Sequence, residues 1–302
     1  MIIISTSKYK SWRELHQLVS IFCWLFFLIL SFSGLVLTFR PELSAMAQTH
    51  PIARMLMYVM HILHTHLALG SNASVGGYFL AGMFSLACVV MLVSGLVIYR
   101  PHALSCRAMR EQARRTGRLS YRYLVTFLHQ ELSAMTAVWG ILLCFSGAWI
   151  AAFFILIMSG SVSPQIMATG GAFGTGGMVL QVDTDAGLLM RLTQFMLAIH
   201  LHNHELFILR VLWAVWMLLF LVAAMLGMAL LAKKRWGSTH TAVTDVSMRD
   251  DSWSVWFMPV AWGVLTLLGF VLPLFGYVGS MLAVLCLLLP FGLLGYELCR
   301  WH

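Results

Sequence analysis

Six apolar runs, each long enough to cross a bilayer, constrain this 302-residue chain more than any other feature. A bilayer core takes about 20 mostly apolar residues per helical span. Runs of that kind lie at about 15–39, 78–99, 132–158, 206–232, 255–275 and 279–298. Only 10% of the residues are charged, against about 25% in an ordinary soluble chain. A secreted enzyme, a nucleotide-binding α/β domain and a disordered protein are excluded. The expected fold is an all-α membrane protein with six transmembrane helices.

The positions of Lys and Arg set the expected orientation, because cytoplasmic loops collect positive charge. The N-terminal tail, the 100–122 loop, the 233–252 loop and the C-terminus hold 15 of the 19 basic residues. Both termini are therefore expected on the cytoplasmic side, with the segments 40–77 and 159–205 facing outward. This distribution also accounts for the net charge of +8, so no nucleic-acid partner is expected. The first apolar run is too long for the core of a cleavable signal, and it is read as an anchor. None of the six cysteines lies in an outward segment, so no disulfide framework is expected, and the absence of CxxCH excludes covalent c-type haem attachment through that motif.

The first and third runs align without a gap at an offset of 113. His16-Gln17 matches His129-Gln130, Ser20 matches Ser133, and Phe32-Ser33-Gly34 matches Phe145-Ser146-Gly147. A looser echo links Leu63-His64-Thr65-His66 with Leu201-His202-Asn203-His204. The reading is a duplicated helical hairpin, repeat 1 at about 11–100 and repeat 2 at about 122–232, related by a pseudo-twofold along the membrane normal. Residues 1–232 form this core. Residues 233–302 are a cytoplasmic linker and an appended two-helix hairpin.

Ionisable side chains inside or at the edge of a span are costly and mark function by default. The chain has twelve histidines. His16 and His129 occupy equivalent positions near the cytoplasmic face, where a pseudo-twofold brings them together across a cleft. Two facing neutral imidazoles are what a six-coordinate haem iron needs. The outward side carries a second cluster: His61, His64 and His66, then His200, His202 and His204. The LHxH correspondence favours His64 with His202 as the second axial pair, leaving His61, His66, His200 and His204 in reserve. Gly34 and Gly147 lie 18 residues beyond His16 and His129, about 27 Å at 1.5 Å per residue, hence at the outward cluster's depth. Gly95 and Gly227 fall at the depth of His16 and His129. All four glycines are expected to clear space for haem, although small residues also serve close helix packing. The expected cofactor is haem b, two per chain.

The residues His16, Ser33-Gly34, Phe39-Arg40-Pro41-Glu42-Leu43, Leu63-His64, Gly76-Gly77, Ser94-Gly95, His129 and Ser146-Gly147 together resemble the PepSY-associated transmembrane family, over about residues 11–232. Some members of that family are similar to inner-membrane ferrisiderophore reductases with b haems. The resemblance implies a bacterial inner-membrane location and electron transfer to ferric iron or a ferric siderophore in the periplasm. The electron donor would be a cytoplasmic partner or a quinol, since no flavin or nicotinamide module is visible in the chain. The outward segments here are too short to hold the large PepSY domain that members often insert. Two other classes are carried beside this one: a His-rich protein that binds or transports metal ions directly, and a cytochrome b subunit of a larger respiratory complex.

Overall fold

The computed structural model describes residues 6–67, 75–99, 121–160, 188–201, 206–236 and 257–299. Among them the chain is all helical. The helices are α1 (Thr6–Leu37), α2 (Arg40–Ala47), α3 (Pro51–His66), α4 (Val75–Ile98), α5 (Tyr121–Met158), α6 (Leu188–Leu201), α7 (Phe207–Trp236), α8 (Phe257–Val271) and α9 (Gly276–Cys299). A 3₁₀ turn, Leu272–Phe275, joins the last two.

Four of these helices are long and apolar enough to cross a membrane: α1 over Lys10–Leu37, α4, α5 over Leu124–Met158 and α7 over Phe207–Ala232. Each satisfies its own backbone hydrogen bonds, the condition for standing in hydrocarbon. They pack in a closed ring, α1 on α4, α4 on α5, α5 on α7 and α7 back on α1. Lipid tails are as apolar as leucine, so such helices are held by close van der Waals fit and buried polar groups. Both are present. Phe27, Phe220, Trp139 and Trp213 are buried in the ring's centre, with centroids 4.8, 5.7 and 5.7 Å apart in that order. The buried hydroxyls of Ser33, Ser94, Thr136 and Ser146 bond back to carbonyls three or four residues earlier in their own helices, which leaves none of them an unpaired donor.

The segments 40–77 and 159–205 are expected to face outward between spans. Where described, these segments are helices that pack on the ring. Pro51 opens α3 at the first helical position, where its missing N–H costs nothing. That helix runs 16 residues until Leu67 turns left-handed with φ 49°. It is too short to span, and it packs against α1, α2 and α4. On the second half α6 packs against α5. Arg210, at the head of α7, ties this end of the ring to α2 by an ion pair with Glu42 at 2.6 Å. The α8–α9 hairpin lies on α5 and α7, anchored by buried Trp262 and by Thr266, whose hydroxyl donates to the carbonyls of Trp262 and Met135.

Candidate functional site: four imidazoles held at Nδ1

The helix ring brings four histidines into the same local construction. His16 on α1 places Nδ1 2.9 Å from the Met91 carbonyl of α4, with Ser94 Oγ at 3.2 Å. His64 on α3 places Nδ1 3.0 Å from the Leu30 carbonyl of α1, with Ser33 Oγ at 3.1 Å. His200 on α6 bonds the Leu143 carbonyl of α5, with Ser146 Oγ 3.1 Å from Nδ1. His129 on α5 places Nδ1 2.8 Å from the Ala223 carbonyl of α7, and Ser133 Oγ is 3.5 Å away.

In every case a glycine sits four residues after the accepting carbonyl: Gly95, Gly34, Gly147 and Gly227. A Cβ on Gly95 or Gly34 would lie 3.2 Å from Cε1 of the facing imidazole, on Gly147 3.1 Å and on Gly227 2.7 Å. The reason is geometric. A carbonyl inside a helix is shielded by the side chain one turn on, and removing that side chain lets a ring from the neighbouring helix lie against the backbone. These glycines had been expected to clear a porphyrin. They face the imidazoles themselves.

A carbonyl oxygen only accepts, so Nδ1 must carry the proton in each of the four rings. That fixes the tautomer and leaves Nε2 with its lone pair, the arrangement by which metal-binding histidines are normally oriented.

Where α3 and α6 approach each other, two Nε2 atoms meet. His64 Nε2 lies 3.4 Å from His200 Nε2, with ring centroids 5.6 Å apart and planes at 37°. Lost hydration pushes His64 down to about 3, repulsion from His200 adds to this, and the Leu30 bond opposes it before a smaller push from His61. Lost hydration takes His200 down to about 4 against the Leu143 bond. At neutral pH both rings are therefore uncharged, and two lone pairs point at each other. This contact repels unless an electrophile lies between them. Imidazole-to-metal bonds are about 2.0–2.1 Å, so an iron held between the two rings would need the nitrogens to stand about 0.7 Å farther apart than the 3.4 Å found. His64 and His200 would be the residues to hold such an iron, as two neutral imidazole donors.

At the other level His16 and His129 are electrostatic neighbours. They hang from α1 and α5, the diagonal helices of the ring, against α4 and α7. His16 lies against Met91 of α4 and His129 against Ala223 of α7. The outward pairing differs from expectation: the partner of His64 is His200, which had been held in reserve, while His202 and His204 lie outside the described residues. His61 is exposed on α3, and the side chain of His66 lies outside the described residues. The alignment that favoured His202 matched Leu63-His64 to Leu201-His202. What the fold matches is the residue that reaches the Ser-Gly pair of the long helix beside it, and α6 presents His200 there.

Two further side chains were not legible as site residues. Glu131, two residues beyond His129, is 2% exposed within the span, and Tyr99 Oη donates to its carboxylate oxygens at 3.3 and 3.4 Å. A lone acid inside an apolar run was the available signal. Among the described residues no group of three or more His, Cys, Asp or Glu could hold a metal ion. No protein-family model, no curated protein and no solved structure matches this chain.

Proposed function

We propose that this chain is a two-haem, b-type electron-transfer protein of a bacterial inner membrane that reduces ferric iron or a ferric siderophore on the periplasmic side. The observation that carries the reading is the outward pair: two imidazoles locked at Nδ1, neutral, with Nε2 lone pairs facing at 3.4 Å. The proposal takes the six apolar stretches as six spans, with both termini cytoplasmic. It takes the two halves as a duplicated hairpin, since His16, His64 and α4 have counterparts in His129, His200 and α7 on equivalent contacts. The resemblance to the PepSY-associated transmembrane family belongs to the same proposal.

His16 and His129 would hold the inner group, His64 and His200 the outer. Haem, when bound at these levels, supplies reversible one-electron chemistry. The chain's own contribution is to keep each ligand neutral and oriented. The carbonyls of Met91, Leu30, Leu143 and Ala223 hold the proton on Nδ1, so Nε2 is available without a protonation step. Burial of Trp139, Trp213, Phe27 and Phe220 between the levels excludes water from the centre of the ring. Reduction at the outward mouth weakens a hard oxygen-donor ligand's hold on iron, because Fe(II) prefers softer donors.

The test is a difference spectrum. Purified protein reduced with dithionite is expected to show a b-type band at two haems per chain, falling to one in His200→Ala and staying at two in His202→Ala. A colourless wild-type protein refutes the proposal. A second reading, direct metal-ion binding at the outward pair, draws on the same 3.4 Å, since two nitrogens at about 2.05 Å from a tetrahedral metal stand about 3.3 Å apart. It needs further ligands, which the described residues do not supply, and it predicts a colourless protein that retains metal.

A further inference from the structure

Cysteines from three of the long helices fall in one layer of the ring, and helix packing puts them there. α4 and α5 run antiparallel in a constant register. Tyr78 stacks on Phe154 with centroids 5.0 Å apart. A Cβ on Gly82 would lie 3.1 Å from Ala151 Cβ, one on Gly147 3.6 Å from Ser85 Oγ, and one on Gly140 3.1 Å from Leu92 Cδ1. Cys88 stands three residues beyond Ser85, and Cys144 three residues before Gly147, so the same register sets them face to face. Their thiols are hydrogen-bonded to each other. The register of α1 on α4 stacks Phe26 on Phe84, with centroids 3.6 Å apart, and one turn on it brings Cys23 to Cys88 as an electrostatic neighbour. All three are free thiols, Cys23 and Cys88 buried and Cys144 half-buried.

The layer lies between the two histidine levels. Gly147 stands against His200 and Gly95 against His16. Cys88 is three residues from Ser85 in the direction of Gly95, about 4.5 Å at 1.5 Å per residue. Two thiols in contact across a helix pair are more than apolar filler, because together they form a pair of soft donors.

Softness, ligand number and charge select what they take. Thiolate sulfur prefers soft ions such as Cu(I). A structural zinc ion takes four ligands, and among the described residues no group of three or more His, Cys, Asp or Glu could hold a metal. Cu(I) is content with two ligands in line. Burying net charge in apolar surroundings is costly, and here none is added. One S–H bond breaks and its proton leaves, the thiolate so formed bonds to Cu(I), and the second sulfur donates a lone pair as a neutral thiol.

We propose that Cys88 and Cys144 form a binding site within the spans for a soft monovalent cation, Cu(I), held between the two sulfurs, with Cys23 behind Cys88. The site is separate from the four imidazoles and does not depend on the electron-transfer reading.

The probe is Cu(I) itself, added anaerobically to the purified full chain in detergent after its thiols have been reduced. Bathocuproine disulfonate competes for the ion, and its coloured Cu(I) complex reports the share it captures. Wild type, Cys286→Ser and the His64→Asn/His200→Asn double variant are each expected to withhold one Cu(I) per chain from the chelator and to release one proton. Cys88→Ser and Cys144→Ser should each lose the ion to the chelator. X-ray absorption at the copper edge of the wild-type complex should show sulfur neighbours, a readout that requires no variant to fold. Retention of the ion by both Cys88→Ser and Cys144→Ser overturns the proposal. Nitrogen neighbours at the copper edge, with binding lost in the double histidine variant, overturn it by placing the ion on the imidazoles. A reduced wild-type chain that withholds no Cu(I) overturns it as well.

Discussion

Substituting Gly227 by alanine isolates the device on which the site depends. The new Cβ would stand 2.7 Å from Cε1 of His129, 3.2 Å from Nδ1 and 3.3 Å from Nε2. Ordinary contact begins near 3.4 Å, so the ring must retreat by about 0.7 Å, and the direction of retreat is away from α7. The bond from Nδ1 to the Ala223 carbonyl, 2.8 Å long, then reaches the limit of hydrogen bonding. Orphaning a buried donor costs about 1–3 kcal/mol, and overpacking costs a similar amount. Alanine's better helix propensity returns about 0.8–1.0 kcal/mol. From the middle of these ranges the net penalty at the inner level is about 3 kcal/mol, a factor of about 150 in affinity. Haem titrated into the purified protein should show the inner site weakened by that factor and the outer site unchanged. Gly147→Ala, with its contact at 3.1 Å, and Gly34→Ala and Gly95→Ala, at 3.2 Å, should be milder. Gly76→Ala meets nothing within 4 Å and should leave both sites intact. If Gly227→Ala binds haem as Gly76→Ala does, the glycines are only packing residues and the account of the carbonyl-held imidazoles fails.

Other expectations follow from the same geometry. His16→Ala or His129→Ala should remove the inner haem and spare the outer, read as one haem per chain by pyridine haemochrome. His64 and His200 have folded values of about 3 and about 4, below the ordinary 6.5. The unfolded chain therefore binds more protons at acid pH, and stability should fall as pH drops through 6.5 and keep falling towards 4. The slope is at most about 1.4 kcal/mol per pH unit for each histidine, and thermal unfolding of apo-protein between pH 7.5 and 4.5 should lose that slope in the His64→Asn/His200→Asn double variant. Arg210→Met leaves Glu42, itself a third exposed, without its cation, and should destabilise by about 1–3 kcal/mol after allowance for solvent. Thermal melts of the Arg210→Met/Glu42→Met double variant should recover most of that loss.

Much of this architecture was legible because it is written in period and repetition. The offset of 113 aligns His16 with His129 and Gly34 with Gly147 in the sequence, and hydrocarbon leaves helix as the form for an isolated apolar run. Gly34 and Gly147, 18 residues beyond His16 and His129, lie against His64 and His200. Three things were not legible. His200, a reserve in the sequence reading, is the residue found against His64, and a pairwise echo between short segments carries no information about which residue reaches a neighbouring helix. The helices α3 and α6 were read as segments between spans, since a 14- or 16-residue apolar helix gives too short a signal for a hydropathy argument. The partners of the imidazoles are backbone carbonyls. A carbonyl has no letter in a sequence, and only the glycine that uncovers it does.

Low-temperature electron paramagnetic resonance of the air-oxidised, purified full chain tests the central claim most directly. The account predicts two low-spin ferric signals of the bis-imidazole kind, one removed by His129→Ala and the other by His200→Ala. A spectrum with no low-spin iron, or one in which both signals survive those substitutions, contradicts it.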